Sequence, residues 1–179
     1  MSRTIYTILL GLVGAAVVHL AVLLLVPIYS ERDAWSRLSE RAPLFALSPI
    51  TGPDGTLFSR AADPLLTAAA CRFALGTGIA RVAAAGTVPY WAVSVHDRFG
   101  QEIYSFNDRT ATDRQLDVVI ASPAQMVELR KELPEEYENS VFVETDQREG
   151  IVVVRAFVPD QSWSGVVSSF IESAACRQE

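Results

Sequence analysis

Two tripeptides bring together the residue types of acid–base chemistry: His96-Asp97-Arg98 and Asn107-Asp108-Arg109. A histidine beside a carboxylate could serve as a general base if the carboxylate oriented the imidazole. Neighbouring residues of a strand point to opposite faces, so Asp97 is badly placed to orient His96. The second triplet reads as readily as turn chemistry with a local ion pair. Ser36, Ser94 and the serines near Trp163 lack the Gly-x-Ser-x-Gly setting of a hydrolase nucleophile. Gly76-x-Gly78 lacks the third glycine and the following helix of a phosphate loop. No catalytic residue, cofactor or metal set is assigned, and a non-enzymatic role is favoured over an enzymatic one.

The remaining reactive groups are Cys71 and Cys176, each within the same four residues, Ala-Ala-Cys-Arg. Zinc would need more Cys or His than the chain offers. In an oxidising compartment an even pair most simply forms a disulfide, with free thiols as the alternative. Such a bond would close a loop of roughly a hundred residues and contribute up to about 4–5 kcal/mol in the chain-entropy picture. It is expected to tie the last helix to the first helix of the exported part.

The tripeptides belong to a hairpin predicted from Pro89 to Asp108, turning at Asp97-Arg98-Phe99-Gly100. With Asp97 opposite Gly100, Trp91 faces Phe106, Val93 faces Tyr104 and Val95 faces Glu102, a largely apolar face for a core. Tyr90, Ala92, Ser94 and His96 then share the other face with Asn107, Ser105, Ile103 and Gln101. Tyr90, Ser94, His96, Ser105, Asn107 and Arg109 are the binding candidates. The competing reading makes this face the wet side of a half-buried sheet.

Around the hairpin, Asp63-Pro64 predicts a helix over Leu65 to Cys71, followed by strands at Arg72–Leu75 and Ile79–Ala84. Leu116–Ile120 reads as a strand, and Ser122-Pro123-Ala124-Gln125 opens a helix with Met126, Leu129 and Leu133 on one face. Pro134 ends it, and Glu135 to Glu138 read as a solvated loop. Val141–Glu144 and Ile151–Phe157 are expected to pair, and Asp160 to cap a final helix through Phe170 and Ile171. The order implies an α+β fold, a mostly antiparallel sheet with helices on one face or end.

Before this part, Thr4 to Val26 runs without a formal charge, long enough to cross a hydrocarbon core of about 30 Å. The exit Val26-Pro27-Ile28-Tyr29-Ser30 is a poor cleavage site, so the segment reads as a retained anchor rather than a signal peptide. Arg3 before it, against mixed charges after it, favours a cytoplasmic N-terminus and an exported domain in a bacterial inner membrane. His19 lies within the span, read as a neutral imidazole that bonds a neighbouring helix or snorkels, or as a functional group. Gly11 and Ala15 could admit a close helix. The organisation expected is an anchor over 1–29, a juxtamembrane helix capped by Ser30 and Asp33 plus a Pro-rich linker over 30–60, and a domain over 61–179. Leu44–Leu47 and Thr56–Phe58 are candidate edge strands. A net charge of −6 with a single lysine, Lys131, excludes a nucleic-acid surface built on clustered cations.

The stretch Val88-Pro89-Tyr90-Trp91-Ala92-Val93-Ser94-Val95-His96-Asp97-Arg98-Phe99-Gly100, with Ile103-Tyr104-Ser105-Phe106-Asn107-Asp108-Arg109, resembles the bacterial domain of unknown function family twelve-fifty-four. His96 stands where that motif has Tyr. Cys71-Arg72-Phe73-Ala74-Leu75 and the stretch Gly150 to Asp160 resemble its short, membrane-anchored alphaproteobacterial branch, so the likeness covers nearly the whole chain. It implies a β-rich domain, no established activity, and a companion protein of the domain of unknown function family twelve-fourteen. The function expected is a membrane-anchored periplasmic protein-interaction module, with a small-molecule binder or enzyme on the hairpin's polar face as the alternative.

Overall fold

A computed structural model describes residues 2–29, 34–50, 63 and 65–179. The chain divides into two compact units, Met1–Asp33 and Ala34–Glu179. In the first, helix α1 (Ser2–Tyr29) contains a stretch, Arg3–Leu25, that is apolar and long enough to span a membrane. His19 lies within it.

The second unit is α+β. Its strands are β1 (Leu47–Pro49), β2 (Leu66–Ala74), β3 (Ala80–Ala84), β4 (Trp91–Asp97), β5 (Glu102–Asn107), β6 (Leu116–Ala121), β7 (Val141–Glu144), β8 (Glu149–Phe157) and β9 (Ala175–Gln178). They form a five-stranded sheet, β1-β2-β8-β4-β5, and a four-stranded sheet, β7-β6-β3-β9. Every pairing is antiparallel except β6 with β7. That parallel step is made possible by the intervening helix α3 (Pro123–Lys131), which supplies the long crossover a parallel pair requires.

Inward side chains of both sheets meet in one core. Phe73, Trp91, Val93, Val152 and Val154 come from the larger sheet and Val82, Leu116, Val118 and Ile120 from the smaller. Helix α4 (Ser164–Ser173) adds Val167, Phe170 and Ile171. Cys71 on β2 is bonded to Cys176 on β9, so the bridge joins the two sheets through this core. It does not tie two helices, because both cysteine segments are strands.

The first of those segments departs most from its sequence. Ala68, Ala69 and Ala70 favour a helix intrinsically, yet all three are buried inside a strand. Strand β2 lies between β1 and β8 with side chains packed on both faces, and the pairing of nine residues with β8 overrides propensity. Asp63 keeps its capping chemistry but serves a turn, accepting from the Leu65 backbone N–H at 2.9 Å.

Outer faces carry their own layers. Helix α2 (Ala34–Ser39) lays Trp35 and Leu38 on Ala70, Ile151 and Val153 of the larger sheet. Helix α3 places Met126 over Val119 and Ala121 of the smaller sheet, beside the buried Tyr137. Ser122 and Gln125 form the expected capping box at the start of α3. Leu133 lies beyond that helix and is exposed. Glu135–Tyr137 is a 3-10 turn that buries Tyr137, not a wholly solvated loop. Another 3-10 turn, Gln161–Trp163, precedes α4, with Asp160 accepting from the Ser162 N–H. Strands β7 and β8 do not pair with each other, since each is drawn into a different sheet. Leu47 does begin an edge strand, whereas Ser30, Asp33, Pro64 and Thr56–Phe58 lie outside the described residues.

Gly150 fixes how closely β4, β8 and β2 approach. A Cβ there would sit 2.4 Å from the His96 carbonyl oxygen and 2.5 Å from Phe73 Cζ. We expect Gly150→Ala to destabilise the domain by about 1–3 kcal/mol through overpacking, measured by denaturant unfolding. The disulfide spans 105 residues. Reducing it, or replacing both cysteines with Ala, is expected to lower the melting temperature by on the order of 10 °C, from up to about 4–5 kcal/mol of loop-closure entropy.

Candidate functional site

Strand β4 keeps its predicted faces, but the register differs from the expected one, and Glu102 and Ile103 exchange faces. Asp97 pairs with Gln101 instead of Gly100, and a bulge between Val95 and His96 adds a further shift. Val93 therefore faces Phe106 and Val95 faces Tyr104, two residues away from the expected alignment. Two shifts of one residue restore parity, so Trp91, Val93 and Val95 still point inward. Ile103, at the bulge, packs against the main core instead of the polar face. Glu102 instead stands opposite His96.

Asp97 is occupied by the turn. Its Oδ1 accepts from the N–H groups of Phe99 and Gln101, each at 2.8 Å, while Gly100 supplies the positive φ the turn requires. It makes no hydrogen bond to His96 among the described residues.

The outward face gathers five of the six candidates, Tyr90, Ser94, His96, Ser105 and Asn107. Ala92 lies opposite Arg155 of β8 on one side and Asn107 of β5 on the other. Tyr90 and Ser94 precede and follow Ala92 on the same face by strand alternation. Ser94 is almost fully buried: its Oγ accepts from Arg155 Nη1 at 2.8 Å and lies 2.9 Å from His96 Nε2. The other ring nitrogen, Nδ1, is 3.3 Å from the Gly100 carbonyl, which can only accept. This assigns the proton to Nδ1, and Ser94 then donates to Nε2. Asn107 Oδ1 accepts from the Arg109 N–H at 3.0 Å.

Ser105 lies opposite Ser94, exposed at the sheet edge, and Arg109 is exposed in the turn after β5. Asp108 pairs with Arg114 at 2.5 Å, not with Arg109, and so holds the loop whose Arg114 carbonyl accepts from Trp91 Nε1. Sequence reasoning missed Arg155. The signal available was one cation within the apolar run Ile151-Val152-Val153-Val154-Arg155-Ala156-Phe157.

A second charged cluster lies on the smaller sheet. Arg81 makes two hydrogen bonds to Asp117, at 3.0 and 2.9 Å, a third to Glu136, and lies over the Tyr137 ring. The Asp117 hydrogen bonds hold the Arg81 guanidinium above its ordinary pKa. Tyr137 donates to Glu179, and these contacts lock β3, β6 and the final residue together. A cleft of about 400 Å³ opens beside Arg81, and another of about 550 Å³ lies between Gly76, Ser122 and Arg148. Neither is lined by a residue of the hairpin.

No protein-family model and no curated protein matches the chain. Solved structures do. The VPA0106 protein from Vibrio parahaemolyticus is 14% identical with a TM-score of 0.58, covering 84% of this chain and 35% of its own. An uncharacterized protein from Burkholderia cenocepacia is 15% identical with a TM-score of 0.50, covering 79% of this chain and 36% of its own. The likeness is one of fold, and this chain spans about a third of each of those structures.

Burial, followed by the Glu179 hydrogen bond, pushes the Tyr137 phenol up to about 12 from 10.0. A proton held more tightly in the folded state adds stability that is complete below pH 10.0 and lost as pH rises through about 12. We expect an ultraviolet absorbance titration to show one late-ionising tyrosine, and Tyr137→Phe to remove it and flatten the alkaline loss of stability.

Proposed function

We propose that this chain is a single-pass protein of a bacterial inner membrane, with its N-terminus in the cytoplasm and its α+β domain in the periplasm. The domain acts as a non-enzymatic module that binds a partner protein. The bond between Cys71 and Cys176 supports an oxidising compartment. Arg3 ahead of the apolar helix supports the orientation.

The observation that carries the binding role is the open edge of the larger sheet. Among the described residues strand β5 ends that sheet; it carries the exposed ring of Tyr104, and Phe99 is exposed at the turn that leads into it. Unpaired backbone groups on an edge strand, beside amphipathic rings, suit strand addition by another chain. The Val95/His96 bulge and Glu102 make the edge a poor match for a second copy of itself. The partner we propose is the companion of family twelve-fourteen that the resemblance to family twelve-fifty-four implies. It is in keeping with this reading that the two solved structures join the same fold to further chain.

Small-molecule binding on the same face is the second reading, favoured by the hydrogen-bonding groups around Ala92. A photo-reactive amino acid at Tyr104 is expected to cross-link the companion protein in intact cells. The same probe at Val127, exposed on α3 over the other sheet, is expected to give none. Equal adducts at both positions, or none at Tyr104, would count against the edge as the docking surface.

A further inference from the structure

We infer that the space over Ala92 is a carboxylate-binding site anchored by Arg155. It rests on the second reading above, binding on the hairpin's outward face, and names the chemistry recognised there. The register makes a small cradle. The Ala92 methyl is its floor, Arg155 and Asn107 flank it on neighbouring strands, and Tyr90 and Ser94 stand before and after it. Its side walls are two strand spacings apart, roughly 10 Å, which admits one planar group across a methyl floor.

The hydrogen-bonding inventory sets the ligand's polarity. Asn107 Oδ1 is engaged by the Arg109 N–H, so its amide NH2 is the group left to donate. The Ser94 hydroxyl is engaged by Arg155 and His96 together. Among the described residues, what remains on this face is a row rich in donors: the other N–H groups of Arg155, the Asn107 amide, and the Tyr90 and Ser105 hydroxyls. Such a row calls for an acceptor-rich ligand.

Charge narrows the class. Arg81, Arg98, Arg114 and Arg130 each pair with a carboxylate. Arg155 is half-buried, and among the described residues its hydrogen bond is to the neutral Ser94. A guanidinium fork matches a carboxylate in two parallel hydrogen bonds. One cation balances the single charge of a carboxylate and leaves a phosphate dianion half compensated. Ser94 and His96 are positioning residues, fixing where the Arg155 fork points. The carboxylate could belong to an acidic side chain or C-terminus of a partner, or to a free organic acid.

The test uses the full chain in detergent micelles, melted in sodium acetate against sodium chloride at equal ionic strength and pH. Acetate at about ten times its dissociation constant is expected to raise the melting temperature by roughly 3–6 °C in the wild type. Arg155→Gln should abolish the shift, Asn107→Ala should reduce it, and Arg177→Gln on the other sheet should keep it. Arg155→Lys, which keeps the charge and loses the fork, should fold like wild type and lose most of the response. A wild type with no saturable shift, or variants at Arg155 that keep it, would overturn the site. The readout needs no partner protein, so it stands whether or not cross-linking at Tyr104 succeeds. If acetate also suppresses that cross-link in the wild type alone, the carboxylate comes from the partner. If the cross-link persists, a free organic acid occupies the site.

Discussion

The covalent tie between Cys71 and Cys176 crosses the layer on which the rest of the domain depends. Among the described residues the two sheets share no backbone hydrogen-bonded ladder, and they meet through side chains and that bond. The facing surfaces are rich in Ala and Val, with the aromatics Trp91, Phe73 and Phe106 as the bulkiest exceptions and Phe170 added by α4. Each small side chain contributes little buried area, and a core of this composition gains from a constraint on the unfolded chain. The bridge also joins the interior strand β2 to the edge strand β9, an edge that would otherwise be held by four paired residues.

Once the inner faces are committed, function is left to the outer ones, and these are covered unequally. Helix α3 and Tyr137 cover part of the smaller sheet. Helix α2 packs on the β2–β8 half of the larger sheet, where Trp35 meets Arg72 at 4.9 Å. Burial lowers the Arg72 pKa, and the field of Glu149 partly offsets that. Among the described residues the outward face of the β4–β5 half carries polar side chains and no helix. The same strand β8 therefore presents Ile151 and Val153 to α2 and, two residues on, Arg155 to the open half.

Local signals in the sequence were legible where one element sufficed to decide them. Ser122 and Gln125 define a capping box by themselves, and the alternation from Trp91 to Asp97 fixes which residues face the core. Long-range choices were hidden. Nothing in Leu66–Ala74 announces that three alanines will be enclosed by β1, β8 and α2, and a helix is the better guess until those neighbours exist. The β7–β8 pairing failed for a similar reason, because β6 claims β7 through a crossover that no local pattern reveals. Arg155 was overlooked because its importance lies in what stands across from it: Ala92 and then Asn107, brought into line by register.

That register also sets the geometry around Ser94 and His96. A serine within hydrogen-bonding distance of an imidazole is the start of a nucleophilic pair, and Ser94 with His96 meets that condition. Among the described residues no carboxylate is hydrogen-bonded to the imidazole, although Glu102 stands opposite His96. The nearest carboxylate in sequence, Asp97, spends Oδ1 on two backbone N–H groups, and the imidazole is oriented instead by the weakly basic Gly100 carbonyl. Arg155 donates into the same Ser94 oxygen, drawing electron density from the atom that would attack, and that oxygen is almost wholly buried. A hydroxyl so placed is a poor nucleophile and a good spacer. It holds a guanidinium at a fixed angle on a rigid strand, which is what selective binding of a planar anion requires.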